Sequence, residues 1–193
     1  MPIVVDPDER RKDLAEAVWR VVRRDGLERA SVREVAREAG VSMGSLRHYF
    51  GSQSELLIFA MRMVIERIEE RVASLPLSED PRQDAERVLS ELLPLDHQRQ
   101  MENEVWLAFT ARSLVDPALR ALRDEAYDAL RAACRRWISR LLPPGRSELE
   151  VETDRLFALL DGLAVHAAMR PVEASPERLL AVLNYHLDGV TAA

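Results

Sequence analysis

GVSMGSLRHYFGSQSELL, residues 40–57, contains the turn and capping residues from which the architecture of this 193-residue chain can be predicted. Gly40 can adopt the left-handed backbone conformation that turns a chain sharply. Ser42 is placed to cap a short helix, and Gly51 follows the end of that helix. The Ser-x-x-Glu spacing at 52–55 is that of a capping box, which begins another helix. The stretch therefore predicts a short helix between two tight turns, followed by a second helix.

Two further helices are predicted before this stretch. Apolar residues at spacings of three and four across 8–25 predict an amphipathic helix, with Gly26 as its C-terminal cap. Ser31 and Glu34 have the capping-box spacing and begin a short helix that ends at Gly40. A capped short helix, a glycine turn and another short helix form a helix-turn-helix, whose second helix lies in the major groove of DNA. An ordinary helical hairpin with a solvated face is the alternative interpretation.

The second helix of this motif has two different sides. Leu46, Tyr49 and Phe50 lie at helical spacing and can anchor it on the preceding helices. Gly44 costs about 1 kcal/mol relative to alanine in mid-helix, which is understandable if a side chain there would collide with DNA. The residues expected to face outward are Met43, Ser45, Arg47 and His48.

Beyond residue 53 the sequence predicts a larger helical body. Six amphipathic helices are separated by prolines, and alternation typical of β-strands is never sustained. The expected fold is all-α, with a three-helix DNA-binding head containing the helix-turn-helix in residues 1–53. A six-helix regulatory and dimerisation body is expected in residues 54–193. The expected body helices are one that ends near residue 74, then 82–93, 101–115, 118–142, 149–169 and 176–190.

Charge is distributed unevenly between these two parts. The formal net charge of −6 and pI near 5.4 argue against a protein that coats nucleic acid by bulk attraction. Up to residue 53 there are 10 Lys and Arg against 9 Asp and Glu, whereas the remainder has 17 against 24. Contact with a polyanion is therefore expected from the N-terminal third.

Other features of the sequence concern the compartment. Cys134 is the only cysteine, which rules out an intramolecular disulfide and fits a reducing compartment. The N-terminus lacks the pattern of a secretory signal, and no uncharged apolar stretch approaches the roughly 18 to 20 residues that span a bilayer. A cytoplasmic protein without membrane contact is expected.

Several short motifs resemble the signature of the TetR family of transcriptional regulators. They are Gly40-Val41-Ser42, Gly44-Ser45-Leu46, His48-Tyr49-Phe50 and the Ser-x-x-Glu-Leu-Leu run at 52–57, together with the helix at 31–40. The match extends from about residue 14 to 57 in a consistent register. Further along, Trp106-Leu107-Ala108-Phe109, Asp116-Pro117 and Asp161-Gly162-Leu163 are similar to the branch that includes the betaine-pathway repressor.

The resemblance implies a repressor that leaves a pseudopalindromic double-stranded DNA operator when a small, largely apolar effector binds. Two positions differ from the usual family pattern. Arg47 stands where an aromatic residue is common and could bind phosphate or guanine, and Gln53 stands where lysine is common, which softens the salt dependence. His48 could instead be a titrating switch. The residues implied in DNA binding are Arg33, Ser42, Met43, Gly44, Ser45, Arg47, His48, Tyr49 and Gln53.

The last two predicted helices carry more apolar residues than a single buried face requires. They form either the innermost core or an interface, since an antiparallel helix pair can make a four-helix bundle with its twofold copy. The resemblance favours the homodimer. The expected interface residues are Leu156, Leu159, Leu160, Leu163, Ala167, Leu179, Leu183 and Leu187.

An effector pocket is a further implication of the resemblance. Aromatic residues of the body are mostly core by base rate, but a few polar residues among them could orient a ligand in an apolar pocket. The expected lining is Asn103, Trp106, Phe109, Thr110, Tyr127, Trp137 and Asp161.

The remaining reactive side chains have structural interpretations. His97, His166 and His186 lack the spacing of a metal site, so no metal or cofactor is expected. Cys134 lies beside the apolar stripe of its helix, as a buried thiol would. The sequence shows no pattern that would pair a nucleophilic side chain with a general base, which argues against an enzyme. The rival hypothesis is a helical small-molecule-binding or enzymatic protein that retains a non-functional helix-turn-helix head.

Overall fold

The computed structural model describes residues 7–26, 31–145 and 147–192. Within these ranges the chain forms nine α-helices and no β-strand, which confirms the all-α prediction. None of the helices in the described part is long and apolar enough to cross a membrane. The helices are α1 Pro7–Asp25, α2 Val32–Glu38, α3 Met43–Tyr49, α4 Gln53–Ser74, α5 Pro81–Ser90, α6 His97–Ser113, α7 Pro117–Leu141, α8 Leu149–Met169 and α9 Pro176–Ala192.

The chain divides into two compact units. The first unit comprises Met1–Arg67 with Glu104–Arg123, and the second comprises Ile68–Asn103 with Asp124–Ala193. The boundary expected between residues 53 and 54 falls at the start of α4, inside the first unit. The predicted boundary therefore does not coincide with the division into compact units, and it stays a prediction about which residues bind DNA.

The first unit is built on the buried face of α1. Val18 and Val21 are fully buried, as the three-and-four spacing predicts. The Trp19 indole N–H donates to the Ala60 carbonyl of α4 at 3.1 Å. The Arg67 guanidinium lies 4.1 Å from the centre of the Trp19 ring, an arrangement that favours a cation–π interaction. These contacts hold α1 against α4.

The second unit has a core of leucines from α5, α7, α8 and α9. Its charged residues are paired at the edges of that core. The Arg71 guanidinium donates to both carboxylate oxygens of Glu102, at 3.1 and 2.8 Å, and to Glu91 at 3.1 Å. Arg82 donates to Asp188 at 2.8 Å, which ties α5 to α9.

Two helix ends differ from expectation, and one of them reflects a capping residue that was missed. Helix α6 begins at His97 rather than near residue 101, because the Asp96 carboxylate accepts from the Arg99 backbone N–H at 2.8 Å. Helix α5 ends at Ser90, although Leu93 beyond it is buried in the core. Helix α8 has the bounds that the sequence predicts.

Candidate DNA-binding surface and effector site

The turn between α2 and α3 is fixed by backbone hydrogen bonds. Gly40 has a φ of +66°, in the left-handed region that favours glycine. The Val41 N–H donates to the Ala36 carbonyl at 2.9 Å, and the Gly40 N–H donates to the Arg37 carbonyl at 3.2 Å. This pair of bonds is the Schellman motif. The helix-turn-helix predicted from Gly40 is therefore formed.

Serine side chains begin both helices of the motif. The Ser31 hydroxyl accepts from the Glu34 N–H at 3.3 Å, and the Ser42 hydroxyl accepts from the Ser45 N–H at 3.1 Å. The Glu34 carboxylate is turned toward Arg37, from which it accepts at 2.6 and 3.0 Å, rather than completing a capping box. The predicted N-caps are confirmed.

Helix α3 is attached through its apolar side. Leu46 is fully buried and Phe50 is 4% exposed. The Phe50 ring lies 5.4 Å from that of Phe59 on α4. Tyr49 is half-buried and packs edge-on against His48, with 5.6 Å between ring centres. The anchoring role predicted for Leu46 and Phe50 follows from this burial.

The opposite side of the motif faces solvent. Ser45, Tyr49 and Gln53 are partly exposed. The apolar Met43 side chain, at the start of α3, is 38% exposed. The exposed members of the predicted set are Arg33, Ser42, Met43, Gly44, Arg47 and His48.

The carboxylate of Glu38 on α2 pairs with arginines other than Arg33 and Arg47. Glu38 accepts from Arg24 at 2.7 Å and from Arg20 at 3.0 Å, and these bonds hold the pKa of its carboxyl below the usual range. Across the described ranges, Arg33 and Arg47 form no ion pair. The surface of α3 therefore presents positive charge that no carboxylate of the described residues neutralises, despite the acidic composition of the protein.

The start of α4 is capped from both sides. The Ser52 hydroxyl accepts from the Glu55 N–H at 3.1 Å, while the Glu55 carboxylate accepts from the Gly51 N–H at 2.9 Å. Ser54 donates its hydroxyl hydrogen to the Asp116 carboxylate at 2.9 Å. Asp116 also caps α7, accepting from the Ala118 N–H at 3.1 Å. These bonds fix the chain immediately after α3.

Three of the residues predicted to line an effector pocket belong to the first unit. Phe109 is 1% exposed and forms part of the core, whereas Trp106 is half-buried. The Thr110 hydroxyl oxygen is buried and has no hydrogen-bond partner in the described part of the chain. A buried hydroxyl without a partner costs free energy.

Three other residues of the predicted pocket lie on one face of α8 or contact it, in the second unit. Asn103 donates its amide N–H to the Ala164 carbonyl at 2.9 Å. The Tyr127 ring packs edge-on against Phe157, with 5.7 Å between ring centres. Asp161 lies four residues after Phe157 and three before Ala164, so all three α8 residues share this face. Asn103, Tyr127 and Asp161 are thus grouped along it.

The carboxylate of Asp161 is the unusual member of this group. No hydrogen bond or ion pair joins it to another residue of the described ranges. Burial raises its pKa. Burial and the charge of Asp161 together raise the pKa of the nearby Cys134 thiol to about 12, and Cys134 is buried as expected. Trp137, the seventh predicted residue, is packed in the core with Arg140 over its ring.

Most residues of the predicted dimer interface are buried within the second unit itself. Leu159 and Ala167 are only partly buried. The other six are between 0 and 7% exposed within one chain and belong to its core: Leu156, Leu160, Leu163, Leu179, Leu183 and Leu187.

An open groove on the same two helices was not predicted from the sequence. It has a volume of about 530 Å³ and includes the predicted residues Leu159, Leu163 and Leu179. Large apolar side chains stand exposed nearby in sequence, with Met169 at 73% and Tyr185 at 84%. The signal that could have revealed them is an apolar residue outside the core stripe of each helix.

Comparison with known proteins gives a family match for each of two segments of the chain. Residues 14–58 match the family of bacterial regulatory proteins, tetR family. Residues 81–192 match the BetI-type transcriptional repressor, C-terminal family. The HTH-type transcriptional regulator PksA of Bacillus subtilis (strain 168) is 37% identical over 195 residues, which cover 98% of this chain and 94% of the relative.

Solved structures give the same result. A transcriptional regulator from Rhodococcus sp. Rha1 has a TM-score of 0.86 at 32% identity, covering 94% of this chain and 96% of that chain. A regulator from Saccharomonospora viridis, in complex with choline, has a TM-score of 0.80 at 25% identity and the same coverage. These names favour a regulator over a ligand-binding protein or enzyme with a non-functional head. The chain belongs to the TetR family of transcriptional regulators and has a BetI-type C-terminal domain.

Proposed function

We propose that this regulator is a homodimeric repressor that places α3 of each protomer in the major groove of a pseudopalindromic operator. The observation that carries the proposal is the outward presentation of Arg33, Arg47 and His48, none of which pairs with a carboxylate of the described residues. Residues 1–53 bind DNA in this proposal, and residues 54–193 dimerise and bind the effector. Half-sites about one helical turn, roughly 34 to 36 Å, apart are expected for two such motifs.

The proposed contacts follow from side-chain chemistry. Arg47 can grip phosphate or pair in a bidentate way with guanine, and Met43 can pack against a thymine methyl group. Ser42 uses its oxygen lone pair to cap α3, so its hydroxyl hydrogen is available to a phosphate. Ser45, His48, Tyr49 and Gln53 then flank these contacts, while Arg33 adds a phosphate contact from α2.

Selection from a random DNA pool tests this proposal directly. Enrichment of a sequence with twofold symmetry and half-sites about one helical turn apart is expected. Footprinting of the enriched sequence should show protection of two successive major grooves on one side of the duplex. Binding that shows no preference among sequences would contradict the proposal.

Gly44 provides a prediction that separates stability from DNA binding. A methyl group there would meet only the Ser42 hydroxyl oxygen, at 3.8 Å, which is ordinary contact. Gly44→Ala is therefore expected to stabilise the fold by up to about 1 kcal/mol and yet to weaken operator binding. Thermal unfolding and gel-shift titration measure the two effects. An alanine variant that binds the operator as tightly as wild type would show that α3 does not approach DNA closely at this position.

We further propose that the effector is a small organic cation with apolar substituents. An ionised carboxylate that lacks a protein partner is costly unless a ligand supplies the opposite charge, and Asp161 is such a group. The aromatic pair Tyr127 and Phe157 lies on the same face and can attract a cation through the ring faces. The choline in the related Saccharomonospora viridis regulator supports this class of ligand. The sequence implied a largely apolar effector. The effector proposed here has a positively charged centre in addition to its apolar substituents.

Asp161→Asn tests the charge requirement. The variant should bind choline at least about tenfold more weakly, because it loses a charge–charge interaction of about 1.4 kcal/mol or more. Binding of 3,3-dimethylbutan-1-ol, the neutral analogue of the same shape, should be unchanged. Calorimetric titration measures both ligands. Asp154→Asn on the exposed side of α8 is the matched control, and equal binding of the two ligands by wild type would contradict the proposal.

The same variant should be more stable at neutral pH. Burial raises the pKa of Asp161 in the folded state, so the folded chain holds this proton more tightly than the unfolded chain. The contribution of Asp161 to stability therefore falls as pH rises above its unfolded pKa of about 3.9. Asparagine does not ionise, so the Asp161→Asn variant should not lose this stability as pH rises. Thermal unfolding at pH 7 should show the gain, and the gain should vanish in strong acid.

Release of DNA requires that the effector distinguish two arrangements of the dimer. A ligand that binds both equally changes nothing, however tightly it binds. The effector must therefore bind the arrangement that is incompetent for DNA more tightly, and the operator must weaken effector binding by the same factor.

A further inference from the structure

Helix α2 carries two glutamates that pair with arginines in different ways. Glu38 accepts from Arg20 and Arg24 of α1, so it holds two helices together. Among the described residues, the Glu34 carboxylate accepts only from Arg37 of its own helix, at 3.0 Å from Nε and 2.6 Å from Nη2. An exposed ion pair of this kind contributes little to stability. The Glu34–Arg37 pair therefore does not serve to join α2 to another helix.

The Glu34 carboxylate is also not needed to begin α2. The cap of that helix is the Ser31 hydroxyl, which accepts from the Glu34 backbone N–H at 3.3 Å. A carboxylate that completed the capping box would accept from the Ser31 N–H, whereas this one is turned toward Arg37. An amide of the same length in place of the carboxylate leaves the cap and the packing of α2 intact.

Arg37 lies where α2 meets the turn into α3. Its backbone carbonyl accepts from the Gly40 N–H at 3.2 Å, within that turn, and its side chain is 68% exposed. Arg37 follows Arg33 by four residues, so the two share one face of α2. The first helix of a helix-turn-helix crosses the DNA backbone while the second enters the groove. Arg37 thus stands on the face of α2 that carries the proposed phosphate contact of Arg33, one turn nearer to α3.

We propose that Arg37 exchanges Glu34 for a DNA phosphate when α3 enters the major groove, and that Glu34 thereby limits operator affinity. In the free protein the carboxylate holds the guanidinium. A phosphate group offers the same guanidinium charge-assisted, bidentate hydrogen bonds, and the release of counterions from DNA favours the new pair. The exchange costs the protein the Glu34–Arg37 pair and leaves a carboxylate beside the polyanion.

The exchange sets the strength of binding without changing the sequence that is recognised. A phosphate contact carries no base information. Glu34 therefore weakens binding to the operator and to unrelated DNA by similar factors, while the residues of α3 keep their role in selecting the sequence.

A cycle of full-length variants, titrated by gel shift at several salt concentrations, tests the exchange. Glu34→Gln and Arg37→Gln each remove one charge while the side chain stays long and polar, and a third variant carries both changes. Glu34→Gln is expected to tighten operator binding by about three- to tenfold, since each protomer no longer has to break a weak ion pair. The control is Asp154→Asn, which removes a carboxylate paired with Arg131 outside the head and should leave the affinity unchanged.

Arg37→Gln is expected to weaken operator binding about tenfold. The slope of log affinity against log salt should fall by about one for each protomer. In the Arg37→Gln background, the gain from Glu34→Gln should be smaller by a factor of at least about two. A gain of the same size in both backgrounds would overturn the exchange, because Glu34 would then act only by repelling DNA. Unchanged affinity and salt slope in Arg37→Gln would overturn it as well. Thermal unfolding checks that each variant is folded.

The exchange rests on the DNA binding proposed above, and the two can fail separately. A wild-type chain that shows no preference among DNA sequences would overturn operator binding and the exchange together. A wild type that selects an operator, with Glu34→Gln and Arg37→Gln variants that bind it as wild type does, would overturn the exchange alone.

Discussion

Arg47→Ala is expected to weaken operator binding by about 10- to 100-fold while the fold and the dimer remain intact. The side chain is exposed on α3 and pairs with no carboxylate of the described residues, so its loss should not destabilise the chain. A bidentate pair with guanine contributes about 1 to 3 kcal/mol at each half-site. A phosphate contact would contribute less, and equally at all sequences.

Gel-shift titration at several salt concentrations distinguishes the two roles. If Arg47 binds phosphate, the slope of log affinity against log salt should fall by about one for each protomer, on every sequence. If it pairs with guanine, discrimination at one base pair of each half-site should be lost instead. Arg136→Ala on the exposed side of α7 removes the same charge outside the head and is the control. Unchanged affinity of Arg47→Ala would remove this residue from the DNA contacts.

Leu159→Glu is expected to dissociate the homodimer and to lower operator affinity by about 100- to 10,000-fold. The head has nearly balanced charge, so each α3 alone should bind DNA weakly. Linking two binding modules raises the overall affinity by this factor through effective concentration. Leu159 is only partly buried within one chain and lies on the groove. A carboxylate there would be desolvated in the interface without a partner.

Leu159 is a better position for this test than the buried leucines of the same helices. Leu163 is 7% exposed and belongs to the core of its own unit, so glutamate at Leu163 would unfold the chain and break the dimer together. Sedimentation and gel-shift titration of Leu159→Glu should change in parallel. Leu77→Glu provides a control with the same chemical change at an exposed site. An intact Leu159→Glu dimer would contradict the proposed interface.

The helix-turn-helix could be predicted from sequence because its determinants are local. Gly40 requires only its own backbone freedom to reach a φ of +66°. Ser31, Ser42 and Ser52 each cap an N–H three residues away, so the spacing in the sequence is also the spacing in space. The missed cap at Asp96 is of the same local kind. It could have been recognised from its position before α6.

Ion pairs between residues far apart in the sequence determine which charged side chains remain unpaired at the surface. Glu38 is neutralised by Arg20 and Arg24 from a different helix, whereas Arg47 of α3 pairs with no carboxylate of the described residues. Asp161 looks like any aspartate in the sequence, and only the packing of α7 and α8 shows that it is half-buried without a partner among the described residues. Charge complementarity between helices depends on their packing and cannot be obtained from spacing along one helix.

Sequence alone determined the all-α fold and the outward face of α3, because helix periodicity and capping act within a few residues. The family followed from the resemblance of the short motifs in residues 31–57 and not from periodicity. The tertiary structure decided which apolar stripe of α8 and α9 is core and which remains exposed. Both helices carry more apolar residues than one buried face needs, and periodicity shows that a stripe is apolar without showing what covers it. Six of the predicted interface leucines proved to be core, whereas Leu159, Gly162 and Tyr185 remain available to a second protomer.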